Sequence, residues 1–420
     1  MQTLEQLTTG QLSQVTQLQL SEGLTEFPLE ILELADTLEV LDLSNNQLST
    51  LPDEFSRLVN LKIVFMSNNL FDILPEVLGR CPKLEMVGFK SNTITTVPED
   101  SLPLNLRWLI LTDNNIEQMP DSLGERPRLQ KLALAGNQLS SLPTTLAQSH
   151  NLQLLRISAN QLIEFPHQLL DLPKLAWLAF SGNPFCQAYS DTNSVPLVSA
   201  SELTLLNVLG KGASGVISKA IWTHEEHAFP KEVAVKVFKG DVTSDGYPED
   251  ELQCCLAVGE HPNLVKSIAT INEQGHSALV MKLIPEQYGN LAMPPSLVSC
   301  TRDTFADDFV LPVSDIVSLV EQMSDVLFHL HAKQVSHGDL YAHNVLFDDQ
   351  ANLLLGDFGA SSSYGHLEDG LQQKIERIEL RAFGYFIDDL LGVCDVEDQD
   401  SSEFIQLQHL AYLNTHPSMS

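Results

Sequence analysis

Residues 129–143 read LQKLALAGNQLSSLP, and their pattern is typical of the first half of the chain. Leucines recur in it at short intervals, with Asn137 placed between two of them. The same pattern returns around asparagines that are 23 residues apart, with one interval of 22, namely Asn46, Asn69, Asn92, Asn114, Asn137, Asn160 and Asn183. A period of this length predicts stacked units, because a single unit cannot bury its apolar face alone.

The pattern L-x-x-L-x-L-x-x-N-x-L resembles that of the leucine-rich-repeat family. The resemblance implies an α/β solenoid over residues 1–183, in which each repeat contributes a short strand with leucines directed inward. The asparagine is predicted to bond backbone groups where the chain bends away from the strand, since buried polar groups need partners. We therefore expect a structural role for these asparagines.

The non-leucine strand positions of the repeats are predicted to line a concave face that binds a protein partner. Exposed aromatic residues beside basic ones are typical of such surfaces. An alternative is that another part of the chain covers this face. The residues assigned to the partner surface are Phe65, Met86, Trp108, Arg156 and Trp177.

Charge excludes several classes of partner. The chain has 55 acidic and 23 basic residues, giving a formal net charge of −32. This excess opposes binding to nucleic acid or to an anionic membrane surface. The first residues lack a basic leader, and we find no apolar run of membrane-spanning length. Six cysteines without metal-ligand spacing are expected to be reduced, so we expect a cytoplasmic protein with neither nucleic-acid nor membrane partners.

A second domain follows a polar, proline-containing linker at residues 184–201. An apolar strand over 205–209 continues into the glycine-rich segment GKGASG at 210–215. Glycine allows a backbone to close over phosphate oxygens, although this motif alone is weak. The sequence then continues as strand, including EVAVKVF at 232–238, which places Ala234 and Lys236 on one face.

This order of glycine loop and strand lysine resembles the protein-kinase family. The resemblance implies that Lys236 contacts ATP phosphates and that a helix carboxylate orients it, with Glu251 the candidate and Glu249 its rival. It also implies an N-lobe at residues 202–285, a C-lobe at 286–420 and a hinge near 282–284. The implied ATP-binding residues are Gly210, Lys211, Gly212, Ala213, Ser214, Gly215, Ile217, Ala234, Lys236, Met281 and Leu283.

The strongest functional signal is HGDLYAHN at 337–344 followed by GDFG at 356–359. On the family template, Asp339 orients the acceptor hydroxyl and accepts its proton. Asn344 and Asp357 are implied to hold Mg²⁺, a cation that prefers oxygen ligands. His337 is implied to support the loop.

The chain departs from the family pattern at several positions. Gly338 replaces the usual arginine of the catalytic loop, an APE element is not recognisable, and few residues follow Gly384. We therefore predict an α+β bilobal protein-kinase-like fold with a shortened C-lobe. The predicted function is ATP- and Mg²⁺-dependent transfer to serine or threonine of a protein. A small-molecule kinase and a nucleotide-binding pseudokinase scaffold remain the alternatives, and residues 361–364 are expected to form an exposed loop.

Overall fold

A computed structural model describes residues 2–186, 195–212, 214–223, 229–239, 242–243, 245–273 and 276–416. The chain divides into two compact units. The first contains Met1–Leu175 and Asn183–Phe185, and the second contains Ala176–Gly182 and Cys186–Ser420. Residues 176–182 continue the repeat pattern in sequence, but their contacts group them with the second unit.

The first unit begins with helix α1, Leu4–Thr8, which Thr3 caps through a capping box. Seven three-residue strands follow, and each pairs in parallel with the next one along the chain. The strands are β1 Gln17–Gln19, β2 Val40–Asp42, β3 Ile63–Phe65, β4 Met86–Gly88, β5 Trp108–Ile110, β6 Lys131–Ala133 and β7 Leu154–Arg156. Sequential parallel pairing is the arrangement that a solenoid of stacked repeats requires.

Short 3₁₀ helices return the chain from one strand to the next. Each follows a proline, whose fixed φ and missing N–H suit the first position of a helical turn. The helices are Leu29–Leu34, Asp53–Arg57, Glu76–Arg80, Glu99–Ser101, Asp121–Glu125, Thr144–Gln148 and His167–Asp171. A proline that follows an apolar residue therefore marks the entry into each of these 3₁₀ turns.

The regular spacing of the asparagines produces a ladder of side-chain hydrogen bonds. Asn69 Nδ2 donates to Leu43 O at 3.0 Å and to Met66 O at 3.1 Å. Its Oδ1 accepts from Leu48 N at 2.9 Å, so one side chain joins two successive turns. The asparagines are buried, and each saturates backbone groups that would otherwise lack partners. The predicted leucine-rich-repeat solenoid is confirmed.

Part of the predicted partner surface is buried. Met86, Arg156 and Trp177 are 1%, 3% and 1% exposed, so the prediction that they offer surface to a partner is wrong. Met86 lies in register between Ile63 and Trp108 on neighbouring strands, where adjacent side chains cover one another. Phe65 and Trp108 remain partly exposed.

Lys131 also contributes to the part of this face that stays accessible. Its Nζ lies 4.3 Å from the centroid of the Trp108 ring, a cation–π contact between neighbouring strands. Phe65, Trp108 and Lys131 form what we call the residual partner face.

The second unit contains strand β8, Trp177–Ala179, and a five-stranded antiparallel sheet in the order β12-β13-β11-β10-β9. Helix α2, Pro248–Val258, belongs with this sheet in the predicted N-lobe. A buried cluster of valine, isoleucine and alanine forms the lobe's core. The sheet strands are β9 Leu203–Lys211, β10 Gly215–Trp222, β11 Glu232–Phe238, β12 Ser267–Glu273 and β13 His276–Lys282.

The C-lobe is built around three helices, α3 Val313–Ala332, α4 Asp369–Leu391 and α5 Ser402–Thr415. Five short strands lie in the same lobe, and residues 337–344 between β15 and β16 form what we call the catalytic loop. The strands are β14 Gly289–Asn290, β15 Val335–Ser336, β16 Val345–Phe347, β17 Leu353–Leu355 and β18 Ser362–Ser363. In the described residues, a 3₁₀ helix at Val396–Asp398 and α5 follow α4. The bilobal kinase-like fold is confirmed.

The start of α3 is capped by a residue that is distant in the sequence. The helix begins at Val313 after Pro312, and Asp398 Oδ2 accepts a hydrogen bond from Val313 N at 2.9 Å. A carboxylate from a distant segment thus performs the capping that a local serine would otherwise supply.

Within the described residues, the structure contains no helix long and apolar enough to cross a bilayer.

The asparagine ladder leads to a stability prediction. Asn114 is buried and donates to Phe89 O and Leu111 O at 3.0 Å each. Replacing Asn114→Ala removes the acceptor of the buried Ile94 N–H, which lies 3.0 Å from Asn114 Oδ1, and one of the two side-chain donors of each carbonyl. The substitution should therefore lower the unfolding free energy of the solenoid by about 1–3 kcal/mol. The exposed neighbour Asn115→Ala is the matched control and should cost less than about 0.5 kcal/mol in urea denaturation. Equal losses for both variants would contradict a structural role for the ladder.

Candidate active site

The centre of the site is an ion pair between Lys236 on β11 and Glu251 on α2. Both side chains are buried, and Lys236 Nζ contacts Glu251 Oε1. Glu249 is exposed, because residues two apart on a helix point in nearly opposite directions. Of the two carboxylates considered from the sequence, the structure therefore brings Glu251 to the lysine.

Asp357 approaches the same ammonium group, with its Oδ1 at 3.7 Å from Lys236 Nζ. Burial alone would lower the pKa of Lys236, but the negative charges of Glu251 and Asp357 raise it above its ordinary value. These two carboxylates therefore favour the charged form of the lysine. A fixed positive charge in a protected site can neutralise phosphate oxygens.

The glycine-rich loop joins β9 to β10 above this pair, and Gly212 N donates to Gly215 O at 3.0 Å. A Cβ on Gly215 would lie 2.5 Å from Val237 O, so the close packing of β10 on β11 requires glycine there. Gly210 and Gly212 have no heavy atom within 4 Å of an added Cβ. Ser214 is buried and Lys211 exposed, whereas Ala213 lies outside the described residues.

The remaining predicted nucleotide residues lie on the sheet that carries Lys236. Ile217 pairs with Gly210 on β9 and with Lys236 on β11, and Ala234 pairs with Met281 on β13. Register therefore brings these side chains close to the lysine.

Leu283, just beyond β13, lines a cavity of about 500 Å³. Lys282, Ile284, His261 and Leu354 line the same cavity, but neither Lys236 nor Asp357 does. The cavity therefore lies apart from the Lys236–Asp357 contact.

The catalytic loop holds Asp339 and Asn344 together. Asn344 Nδ2 donates to the backbone carbonyl and to Oδ2 of Asp339, each at 2.9 Å. Since the amide nitrogen is turned toward Asp339, the amide oxygen is the atom of Asn344 that can face a cation. The spacing of five residues thus brings a candidate base and a candidate metal ligand into direct contact.

Asp357 and Asn344 fit a magnesium site in chemistry and exposure. The Asp357 side chain is 55% exposed, and its backbone has φ of +55°, which turns it toward Lys236. No cluster of three histidine, cysteine, aspartate or glutamate side chains able to hold a metal occurs in the described residues. A carboxylate, an amide oxygen and phosphate oxygens form the usual ligand set for Mg²⁺ at a nucleotide.

His337 is buried and held at both ring nitrogens. Its Nδ1 accepts from Asp339 N at 3.3 Å, and its Nε2 lies 3.0 Å from Gly356 O. This pairing makes Nε2 the protonated nitrogen. The ring also packs on Phe358, with centroids 5.1 Å apart. His337 therefore links the catalytic loop to the segment that carries Asp357.

Glu379 on α4 anchors the backbone of the catalytic loop. Its Oε1 accepts from the N–H groups of His337 and Gly338, and its Oε2 contacts His331 Nε2 at 2.8 Å. Burial would raise the pKa of Glu379, but the hydrogen bond and charge of His331 lower it. Burial would likewise lower the pKa of His331, whereas Glu379 and then Glu376 raise it. No local sequence signal predicts the role of His331, since nothing in its spacing marks a partner 48 residues away.

A second histidine–carboxylate pair supports the other end of the loop. His343 Nδ1 lies 2.7 Å from Asp303 Oδ1, and His343 N donates to Asp303 Oδ2 at 3.0 Å. Asp303 is buried at 8% exposure and comes from the segment before α3. This residue also carries no local sequence signal.

The expected exposed loop at residues 361–364 is wrong. Ser361, Ser362 and Tyr364 are 2%, 0% and 0% exposed. Ser361 Oγ donates to His337 O at 3.2 Å, and Tyr364 OH bonds Glu376 at 3.0 Å. The segment is internal because β18 pairs with β15, directly before the catalytic loop.

The His331–Glu379 pair predicts a pH-dependent contribution to stability. A histidine with a raised pKa stabilises fully below its ordinary pKa near 6.5 and loses that contribution as pH rises through the raised value. Glu379, with a lowered pKa, stabilises above about 4.5 and less in stronger acid. We expect His331→Gln to cost about 1–2 kcal/mol at pH 6 and clearly less at pH 9, measured by denaturation. Exposed His409→Gln is the control, and a pH-independent cost for His331→Gln would refute the pairing.

Comparison with known families agrees with this geometry. The family model for protein tyrosine and serine/threonine kinases matches residues 203–381. Leucine-rich-repeat models match residues 37–58, 104–162 and 127–185.

Three relatives illustrate the similarity of the second unit. Fibroblast growth factor receptor 1 of Xenopus laevis is 26% identical, covering 41% of this chain and 22% of that protein. The tyrosine-protein kinase receptor TYRO3 of Gallus gallus is 27% identical, covering 39% and 19%. A putative leucine-rich repeat receptor-like serine/threonine-protein kinase of Arabidopsis thaliana is 26% identical, covering 42% and 17%. This chain thus spans less than a quarter of each relative, and it combines leucine-rich repeats with a protein kinase domain.

Proposed function

We propose that this protein is a cytoplasmic kinase that transfers the γ-phosphoryl group of Mg-ATP to serine or threonine hydroxyls of a protein. The observation that carries the proposal is the convergence of the Lys236–Glu251 pair with Asp357, beside the contact of Asp339 with Asn344. Kinase activity requires both the lysine–glutamate pair and a correctly placed metal-binding aspartate.

The residues divide the work according to their chemistry. Magnesium, held by Asp357 and Asn344, would neutralise charge on the transferred group. Lys236 binds the phosphates with its fixed positive charge, and the glycine loop closes over them. Asp339 orients the acceptor hydroxyl and takes its proton as the hydroxyl oxygen bonds to the γ-phosphorus. The bond between that phosphorus and the β–γ bridging oxygen breaks in the same transfer, and ADP leaves with the bridging oxygen. Both histidine–carboxylate pairs hold the loop that carries Asp339.

Protein recognition is proposed for the residual partner face of the repeats. This face has aromatic area from Phe65 and Trp108 and a positive charge from Lys131, on a chain whose net charge is −32. Aromatic residues beside basic ones often form the energetic centre of an interface. The Arabidopsis relative, whose name pairs leucine-rich repeats with a serine/threonine kinase, supports serine or threonine as the acceptor. A cytoplasmic location agrees with six cysteines that are all free thiols.

A small-molecule acceptor is the second candidate because the segment after Asp357 is short. Helix α4 begins at Asp369, about a dozen residues beyond Asp357. Little chain is left there to form a platform for an extended peptide. This candidate predicts that the enzyme labels a metabolite fraction and leaves proteins unlabelled.

The test is phosphate transfer from radiolabelled ATP by the full chain, incubated with the protein and metabolite fractions of a cell lysate. Asp339→Asn should lower protein labelling by about 10²- to 10⁴-fold, the range for loss of a general base. It should still bind Mg-ATP in calorimetry, since the phosphate and metal groups remain. Phosphoamino-acid analysis should place the label on serine or threonine.

Asp349→Asn is the matched control, since Asp349 is an exposed aspartate in the turn between β16 and β17. It should label proteins as the native chain does. Equal labelling by native and Asp339→Asn proteins would refute the role of Asp339. Label on tyrosine or only on metabolites would refute the proposed acceptor.

A further inference from the structure

Residues 176–182 belong by contacts to the kinase unit, and they touch three parts of its catalytic machinery. We call them the support segment. Trp177 Nε1 donates to Leu340 O at 3.0 Å, directly after Asp339. The Trp177 ring also stacks on Tyr341, with centroids 4.4 Å apart and planes 6° apart. These contacts fix the backbone and a side chain on the C-terminal side of the candidate base.

The stack extends in both directions from Trp177. Tyr385 of α4 lies on it with a centroid distance of 5.4 Å, and Arg302 lies 4.7 Å from the Tyr385 ring. On the other side, Tyr341 contacts His343 at 5.0 Å. Trp177 is thus the central ring of a column that joins α4 to the catalytic loop.

The same segment holds the chain that follows Asp357. Ser362 Oγ accepts from Phe180 N at 3.0 Å and from Ser181 N at 3.2 Å. Ser181 Oγ donates to Ser361 O at 2.7 Å. Every group in this set is buried, so each bond is shielded from competition by water.

The support segment also approaches α2, the helix that carries Glu251. A Cβ on Gly182, which has φ of +74°, would lie 2.6 Å from Asp250 Oδ2 and 2.7 Å from the Tyr247 ring. Only glycine allows this approach. The seven-residue support segment therefore contacts the catalytic loop, the chain after Asp357 and helix α2, which carries Glu251.

Gly338 stands where the protein-kinase family usually carries an arginine, and the support segment packs against it. It has φ of +73°, and an added Cβ would lie 2.4 Å from Ala360 O and 2.8 Å from Leu178 O. The space that a side chain at position 338 would enter is therefore filled by two backbone carbonyls, that of Ala360 and that of Leu178 in the support segment. A phosphorylated activation loop orders a kinase by pairing with arginine, and here neither that arginine nor space for it is present.

We propose that the support segment is a permanent, phosphate-independent replacement for a phosphorylated activation loop, with Trp177 as its positioning residue. The inference rests on the proposed kinase function. On this proposal the catalytic unit includes residues 176–182, and its activity needs no prior phosphorylation of this chain.

Full-length Trp177→Phe, Trp177→Leu and Trp222→Phe proteins test the proposal. Trp222 matches Trp177, since its Nε1 also donates to one carbonyl, Pro230 O at 3.1 Å, and its ring stacks on Phe229. We expect kcat to fall about tenfold in Trp177→Phe, which keeps a stacking ring, and about a hundredfold in Trp177→Leu. The dissociation constant of Mg-ATP should stay within about twofold, and Trp222→Phe should match the native protein.

Two further measurements separate this proposal from the kinase function itself. Phosphatase treatment of the native protein should leave kcat unchanged, and a loss of activity would overturn the proposal. Amide hydrogen exchange over residues 338–344 should accelerate in both Trp177 variants but not in Trp222→Phe. This exchange result stands even if the native chain transfers no phosphate, in which case the proposed function fails alone. Unchanged exchange, or equal losses of kcat in Trp177→Phe and Trp222→Phe, would refute the support role.

Discussion

The arrangement of the kinase unit depends on one constraint, the positive charge of Lys236 buried beneath the glycine loop. An ammonium group removed from water is costly unless a carboxylate compensates it. Glu251 supplies that carboxylate from α2, and Asp357 adds a second charge from the C-lobe. Because the partners come from separate elements, these contacts fix the positions of α2 and of Asp357 relative to β11. Its value lies in this geometry, since buried ion pairs contribute little net stability.

In the C-lobe, a buried negative charge is likewise compensated by groups from separate elements. Glu379 is a buried carboxylate, and it is satisfied by two backbone N–H groups and by His331. One oxygen holds the catalytic loop and the other holds α3. Removal of any one donor would leave part of a buried charge uncompensated, which costs more than an ordinary hydrogen bond. The loop that carries Asp339 is thus positioned by groups that themselves cannot move independently.

The parts of the fold that depend on local or periodic constraints could be predicted from the sequence. The 23-residue spacing of asparagines leads directly to the hydrogen-bond ladder, since each repeat poses the same backbone problem. The order of the kinase motifs likewise predicted the fold of the second unit. It could not predict Asp303 or His331, which bond their partners only after distant segments pack. Strand alternation placed Trp177 on an accessible face, yet alternation describes one strand and says nothing about what later covers it. The prediction that the serines after Asp357 are exposed was wrong for the same reason. A polar run can be buried when a neighbouring segment supplies its hydrogen bonds.

The departures from the kinase pattern are physically connected. A short segment after Asp357 removes the chain that would carry a regulatory phosphate, and Gly338 removes the arginine that would bind it. Either change alone would leave the catalytic loop without its usual partner, exposing polar backbone around Asp339. Leu178, whose carbonyl lies against Gly338, and Trp177, whose indole bonds Leu340, fill that space. An arginine restored at 338 would collide with two carbonyl oxygens at a backbone conformation that favours glycine. The absence of the arginine is therefore a requirement of this packing, and the atypical catalytic loop is consistent with an assembled site.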